Sequence, residues 1–181
     1  MLKRYEHIPT AMRRHSVEPS VFVLSQDEKG TTNIMAAGWN VKCSYEPPMI
    51  GVALSKNGYT QKLVRQTGQF VLAVPSPGQE GLLEYVGSVS GADIDKFSER
   101  TILTQPASEI DIPLLSEARV NFECIVADEV TTGDHFFFVG LIKAAYYNVD
   151  RDQVFFAGRD SQGERILPTI STRFPDDLPT R

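Results

Sequence analysis

Four consecutive apolar positions, Val21-Phe22-Val23-Leu24, interrupt a polar lead-in and are followed by Asp27-Glu28-Lys29-Gly30. The run reads as a strand and the acidic, glycine-ended stretch as a tight turn, so residues 31–41 are expected as the return strand of a hairpin. Glu46-Pro47-Pro48 breaks the pattern, because proline gives no hydrogen to a sheet ladder. Met49-Ile50-Gly51-Val52-Ala53-Leu54-Ser55 then resumes it as a third strand. From Tyr59 the spacing becomes helical, with Leu63 and Val64 apolar among Gln61, Lys62, Arg65 and Gln66, until Gly68 ends it. Phe70-Val71-Leu72-Ala73-Val74 is another buried strand, closed by Pro75 and Pro77.

In the second half, residues 81–89 read as a helix, and Ser90-Gly91-Ala92-Asp93 as a loop into one short helical turn at Ile94-Asp95-Lys96-Phe97. Residues 101–115, carrying Pro106 and Pro113, are expected to cross the domain in extended form. Two long β-rich runs, 118–131 and 135–147, flank the turn Thr132-Gly133-Asp134, and a short strand over 153–157 precedes a tail rich in Gly, Pro and charge. About seven strands, short helices and no regular strand-helix alternation imply an all-β dominated chain, closed as an antiparallel barrel with added helices. The organisation expected is an N-terminal arm at 1–17, a barrel domain at 18–160 and a C-terminal tail at 161–181. For the basic lead-in, a solvated segment competes with a short helix or an arm on a neighbouring subunit.

Composition narrows the classes. At 181 residues, 41% hydrophobic and 23% charged with net charge -5, the chain suits one folded domain. No stripe of Lys and Arg meets the need of a phosphate backbone, so nucleic acid is not an expected partner. No apolar run follows the basic start and none reaches membrane-spanning length, so a cytoplasmic protein without membrane association is expected. Cys43 and Cys124 lie too far apart for zinc or dithiol spacings and are expected as free thiols. Dinucleotide, P-loop, serine hydrolase and zincin motifs are all missing. Of the three histidines, His7 and His15 fall in the arm, which leaves a metal site to carboxylates.

One stretch, Thr32-Asn33-Ile34-Met35-Ala36-Ala37-Gly38-Trp39-Asn40, combines small side chains with an indole and two amides. Small residues let a flat ligand approach the main chain, although a strand that merely packs closely has the same composition. Ser55 and Lys56 end a strand just before Tyr59-Thr60 opens a helix, where hydroxyls and free amides suit an anion; the bland alternative is a helix cap worth ~1 kcal/mol. Lys96, beside Phe97 after a Ser-Gly loop, is either a cation reaching into a site or a surface lysine. His135 stands at the mouth of an otherwise buried strand, with Asp134 placed to orient it or simply to form the turn.

In this order the features resemble the flavin reductase-like proteins with an FMN-binding split barrel. The matching elements are Asn33-Ile34-Met35-Ala36-Ala37-Gly38-Trp39, Pro47-Pro48, Tyr59-Thr60, Gly68-x-Phe70, Ser90-Gly91 through Asp95-Lys96-Phe97, and Gly133-Asp134-His135, over about residues 18–147. The resemblance implies an antiparallel Greek-key split β-barrel and a homodimer with noncovalent FMN sites at its interface. It implies that the backbone from Met35 through Ala36, Ala37 and Trp39 to Asn40 meets the isoalloxazine edge, that Trp39 lines the pocket and that Asn33 hydrogen-bonds the cofactor. Ser55, Thr60 and Lys96 are then the phosphate ligands and His135 the catalytic candidate near the flavin and its donor.

The chemistry implied is hydride transfer from NADH or NADPH to FMN, and then to a ferric complex, free flavin for a monooxygenase, or another redox partner. That chemistry needs no side-chain nucleophile, in keeping with the missing triad. Where the family often has Ser, this chain has Gly38, which removes one polar contact. Cys43 follows the ring-binding run, where the resemblance sometimes puts a cysteine in contact with the flavin, but it is expected as a small packed thiol, and Cys124 as core. The alternative on the same barrel is a non-catalytic flavin or haem-binding module. A pyridoxal-type oxidase is a third reading, but it calls for a second basic cluster that the linear sequence does not display.

Overall fold

The computed structural model describes residues 8–12, 17–148 and 150–171. After a short helix α1 (Ile8–Met12), strands β1 (Val21–Gln26) and β2 (Thr32–Ala37) form the expected hairpin. Asp27 builds its turn by accepting the N–H groups of Lys29 and Thr31 at 2.9 and 2.8 Å. The chain then turns a corner at Gly38-Trp39 into β3 (Asn40–Tyr45) and β4 (Pro48–Ser55). Helix α2 (Tyr59–Thr67) ends at Gly68, whose φ of 67° suits a residue without Cβ, and β5 (Gln69–Val74) follows. Next come α3 (Glu80–Ser88), α4 (Lys96–Glu99), the two-residue pair β6 (Thr104–Gln105) and β7 (Leu114–Leu115), and the long strands β8 (Val120–Thr132) and β9 (His135–Tyr147). A second small pair, β10 (Gln153–Val154) and β11 (Thr169–Ile170), follows β9.

Seven strands form one antiparallel sheet in the order β2-β1-β5-β8-β9-β4-β3. Its two outermost strands are consecutive in the chain, so the sheet has to curl back on itself, and the Ala53 N–H donates to Trp39 O at 2.9 Å where it does. This is the expected antiparallel Greek-key split barrel with the expected seven strands, though not all of them are the segments expected. The single strand expected over 31–41 breaks at Gly38-Trp39, because the Asn40 amide donates to Pro19 O at 2.6 Å and to Gly38 O at 3.1 Å and pins the corner. Of β3 only Asn40 and Val41 fall within that expected strand, and the strand expected at 153–157 shortens to Gln153–Val154 and lies outside the barrel, paired with β11.

The unbroken apolar runs have a physical reason, since the sheet is buried on both faces along β1 and β5. Val21, Val23, Phe70 and Leu72 point into the barrel with Val52, Leu54, Cys124 and Phe138. Their neighbours Phe22, Leu24, Val71 and Ala73 point outward, under Leu83 and Val86 of α3 and Ile112, Leu114 and Leu115 of the crossing segment. Cys124 is core as expected, but Cys43 is exposed on β3, because that strand has no covering layer. Glu123, fully buried, fastens the crossing segment by accepting the N–H groups of Ser108 at 2.9 Å, Glu109 at 2.7 Å and Ile110 at 3.1 Å. Among the described residues no helix is long and apolar enough to cross a membrane.

Candidate functional site

Lys96 is not a surface lysine. Asp95 caps α4 by accepting from the N–H groups of Phe97 and Ser98 at 3.0 and 3.3 Å, and that local fold turns the following side chain inward. Only 3% exposed, Lys96 donates from Nζ to Ile34 O at 2.7 Å and Val86 O at 3.0 Å. Burial among uncharged partners pulls its ammonium down to about 8.

The contact to Ile34 also orients the strand. β2 is the outermost strand beyond β1, and on such a strand alternate residues direct both N–H and C=O away from the sheet. Ile34 therefore faces outward, and so does Ala36, two residues on. The side chains of Met35 and Ala37 pack toward the barrel core, while Ala36 packs on the outer layer. The small-residue stretch thus presents an accessible backbone edge at Ala36, bordered by a cation.

Asn33 is buried beside this edge. Its Nδ2 donates to Thr60 Oγ1 at 2.9 Å and Ser25 Oγ at 3.3 Å, whereas Oδ1 is enclosed with no hydrogen-bond partner among the described residues. Gly91 lies so close that a Cβ there would overlap Asn33 Oδ1. Thr31, Thr32, Asn33, Tyr59, Gly91 and Lys96 are among the residues around a cavity of about 220 Å³. Tyr59 opens α2, whose N-cap Gly58 offers no side-chain cap.

A second group forms at the barrel rim. His135 lies opposite Ser55 across the β4–β9 ladder, and its ring centroid is 4.7 Å from that of Trp39 at a tilt of 38°. Nδ1 is 2.7 Å from Asp134 Oδ1, and this hydrogen bond with His135 holds the Asp134 carboxyl below the ordinary range. A proton on Nδ1 serves that bond and leaves Nε2 for other partners. The main-chain N–H of Lys56 donates to Asp134 O at 3.0 Å, tying the start of the 56–58 loop to the turn.

Of the residues singled out from sequence, Asn33, Thr60 and Lys96 come together around β2, and Trp39, Ser55 and His135 around the rim. Asn40 is committed to the corner, and Ser55 and Thr60 do not line the cavity that holds Lys96. Thr32, at the start of the candidate stretch, and Tyr59, at the expected anion site, line it, and so does Thr31, which was not singled out. The two hydroxyls immediately before Asn33 were the available signal.

A family model described as "Flavin reductase like domain" matches residues 12–164. An uncharacterised protein of Archaeoglobus fulgidus is 36% identical over 110 residues, 61% of this chain and 62% of that one, so the chain spans about six tenths of that relative. An NADH-dependent flavin reductase of Rhodococcus sp is 23% identical over 154 residues, 84% of this chain and 82% of its own. The solved FMN-binding protein from Thermus thermophilus with bound p-hydroxybenzaldehyde shares the fold at a TM-score of 0.81, 23% identity and coverage of 97% and 99%.

Proposed function

The chain belongs to the flavin reductase-like domain family, and on that premise we propose that it holds FMN noncovalently and carries hydride equivalents from NADH or NADPH to an acceptor. The observation that carries this reading is the pairing of an unsatisfied, enclosed Asn33 Oδ1 with a buried lysine at one cavity. A buried polar atom without a partner costs about 1–3 kcal/mol, and a ribityl hydroxyl supplies the missing donor. For the phosphate, Lys96 keeps one N–H beyond its two carbonyl partners, and the uncapped start of α2 and the hydroxyls of Thr31 and Thr32 border the same space. Of the two acidic side chains lining the cavity, Asp95 is committed to capping α4, and Asp93 opposes an anion.

At about 220 Å³ the cavity is smaller than the ~300–1,000 Å³ usual for sites that enclose a small molecule. It suits the phosphate end, which leaves the isoalloxazine outside, against the edge at Ala36. A second copy covering β3 encloses such a ring. That strand is an open edge carrying Val41, 53% exposed, and Tyr45, 85% exposed, just after Trp39, 48% exposed. The arrangement proposed is therefore a cytoplasmic homodimer with its flavins between subunits.

When bound, the flavin supplies the two-electron chemistry and releases electrons to a ferric complex, free flavin for a monooxygenase, or a protein. The chain's share is placement. The outward N–H and C=O of Ala36 bind a polar ring edge, Trp39 shields one side from water, and His135, held by Asp134, presents Nε2 to hold or deliver a proton. NADH and NADPH oxidation by the purified chain, with and without ferric citrate and free FMN, tests the reading. Turnover with either donor that rises with an added acceptor supports it, and absence of turnover under every combination contradicts it.

A further inference from the structure

The turn after β10 sets two arginines opposite each other, and no described carboxylate forms an ion pair with either. Asp160 builds the turn by accepting the N–H groups of Gln162 and Glu164 at 2.8 and 3.0 Å, and Gly163, at φ 84°, closes it. Arg159 and Arg165 consequently face each other as an antiparallel bridge, with side chains on the same face. Like charges directly opposite one another are destabilising. Arg100 comes in from the end of α4, with its guanidinium 4.5 Å from the centre of the Tyr85 ring.

Among the described residues none of these three arginines forms an ion pair with a carboxylate. Arg159 donates to Gly163 O at 2.6 Å and Arg165 to Leu83 O at 3.4 Å, which leaves most of their donors unused. The three arginines, Glu84, Glu164 and Tyr85 surround an open cleft of about 430 Å³. The Tyr85 hydroxyl is enclosed and has no hydrogen-bond partner among the described residues. No residue lining this cleft lines the cavity beside Lys96, and Gly87 of α3 stands between Arg165 and Ala36.

We infer that this cleft binds a phosphorylated ribose, as a nucleotide carries it. Planar forks from several arginines match the three terminal oxygens of a phosphate better than the two of a carboxylate, and an anion there removes the Arg159–Arg165 repulsion. Glu84 and Glu164 in the same cleft accept from sugar hydroxyls. The volume exceeds the needs of bare phosphate and lies within the range for small organic ligands. The linear sequence hides the site because Arg100 and the arginine pair are far apart in the chain, and each alone reads as a solvated charge.

Calorimetric titration of the FMN-loaded full chain with AMP, ribose 5-phosphate and inorganic phosphate tests the inference. One AMP per chain is expected, with ribose 5-phosphate comparable and inorganic phosphate about tenfold weaker or more. Arg159→Gln, on an exposed turn, and Arg165→Lys, which keeps the charge but loses the fork, should each weaken AMP about tenfold while FMN content is unchanged. If NADP⁺ competes with AMP and Arg159→Gln raises KM for NADPH at constant kcat, the ribose phosphate is the hydride donor's. If AMP leaves KM for the donor unchanged, it is a separate nucleotide. No AMP binding at millimolar concentration, equal affinity for inorganic phosphate, tighter binding of pyridoxal 5′-phosphate, or indifference to both substitutions overturns the inference.

Discussion

The ammonium of Lys96 donates to Ile34 O at 2.7 Å, so a cation from the first residue of α4 closes one point on the otherwise open edge of β2. Lys96 loses its proton near pH 8, and a phosphate beside it favours the charged form. FMN affinity should therefore fall as pH rises through about 8, and FMN binding at that pH should take up protons. Stability of the FMN-free chain runs the other way. Its folded lysine is the weaker base, the unfolded chain binds more protons above pH 8, and stability rises with pH there. Fluorescence quenching of FMN at pH 7 and 9.5, with thermal melts of the FMN-free chain, separates the two trends. Lys96→Met should weaken FMN at neutral pH roughly tenfold, the loss of one charge-assisted contact.

Gly91→Ala should disturb the same site from the other side. A methyl there overlaps Asn33 Oδ1, so Asn33 has to leave Thr60 or the 90–95 loop has to move. A destabilisation of about 1–3 kcal/mol is expected from overpacking, together with loss of flavin. Urea unfolding and the flavin absorbance of the purified variant check both.

At the rim, Asp134→Asn removes the charged acceptor at His135 Nδ1 without altering the size of the side chain. The ring is then free to change tautomer, and flavin reduction by the dinucleotide should slow by roughly tenfold or more, since small errors of placement carry penalties of that order. FMN content should be unchanged. Anaerobic single-turnover reduction measures the rate, and an unaltered rate removes Asp134 from the reaction.

Glu123 makes a prediction about the fold alone. Burial pushes its carboxyl up, but the N–H groups of Ser108 and Glu109, the Tyr146 side chain and the N–H of Ile110 together outweigh that and hold it below the ordinary range. The stabilisation is present above the unfolded carboxyl pKa and is lost as pH falls through the folded value. Glu123→Gln should lower stability by about 1–3 kcal/mol near neutrality and flatten the acid limb of the stability profile, as read from thermal melts between pH 3 and pH 7.

The sequence revealed most of the barrel because its strands are buried on two faces and so carry unbroken apolar runs, as at Val21 to Leu24 and Phe70 to Val74. It hid the corner at Gly38-Trp39, where side-chain hydrogen bonds from Asn40 end a strand that composition would continue. Lys96 was legible as a candidate but not as a buried one, since its carbonyl partners at Ile34 and Val86 are set by tertiary packing. The exposure of Cys43 has the same origin, because only topology makes β3 the last strand of the sheet.

The central claim is that this chain holds one FMN, reducible by a pyridine dinucleotide. The direct measurement is an anaerobic absorbance titration of the FMN-reconstituted, desalted protein with NADH and with NADPH. The expected result is a flavin spectrum at about one FMN per chain that bleaches on addition of one of the two donors. A protein that keeps no flavin after desalting, or whose flavin spectrum neither donor changes, contradicts the account.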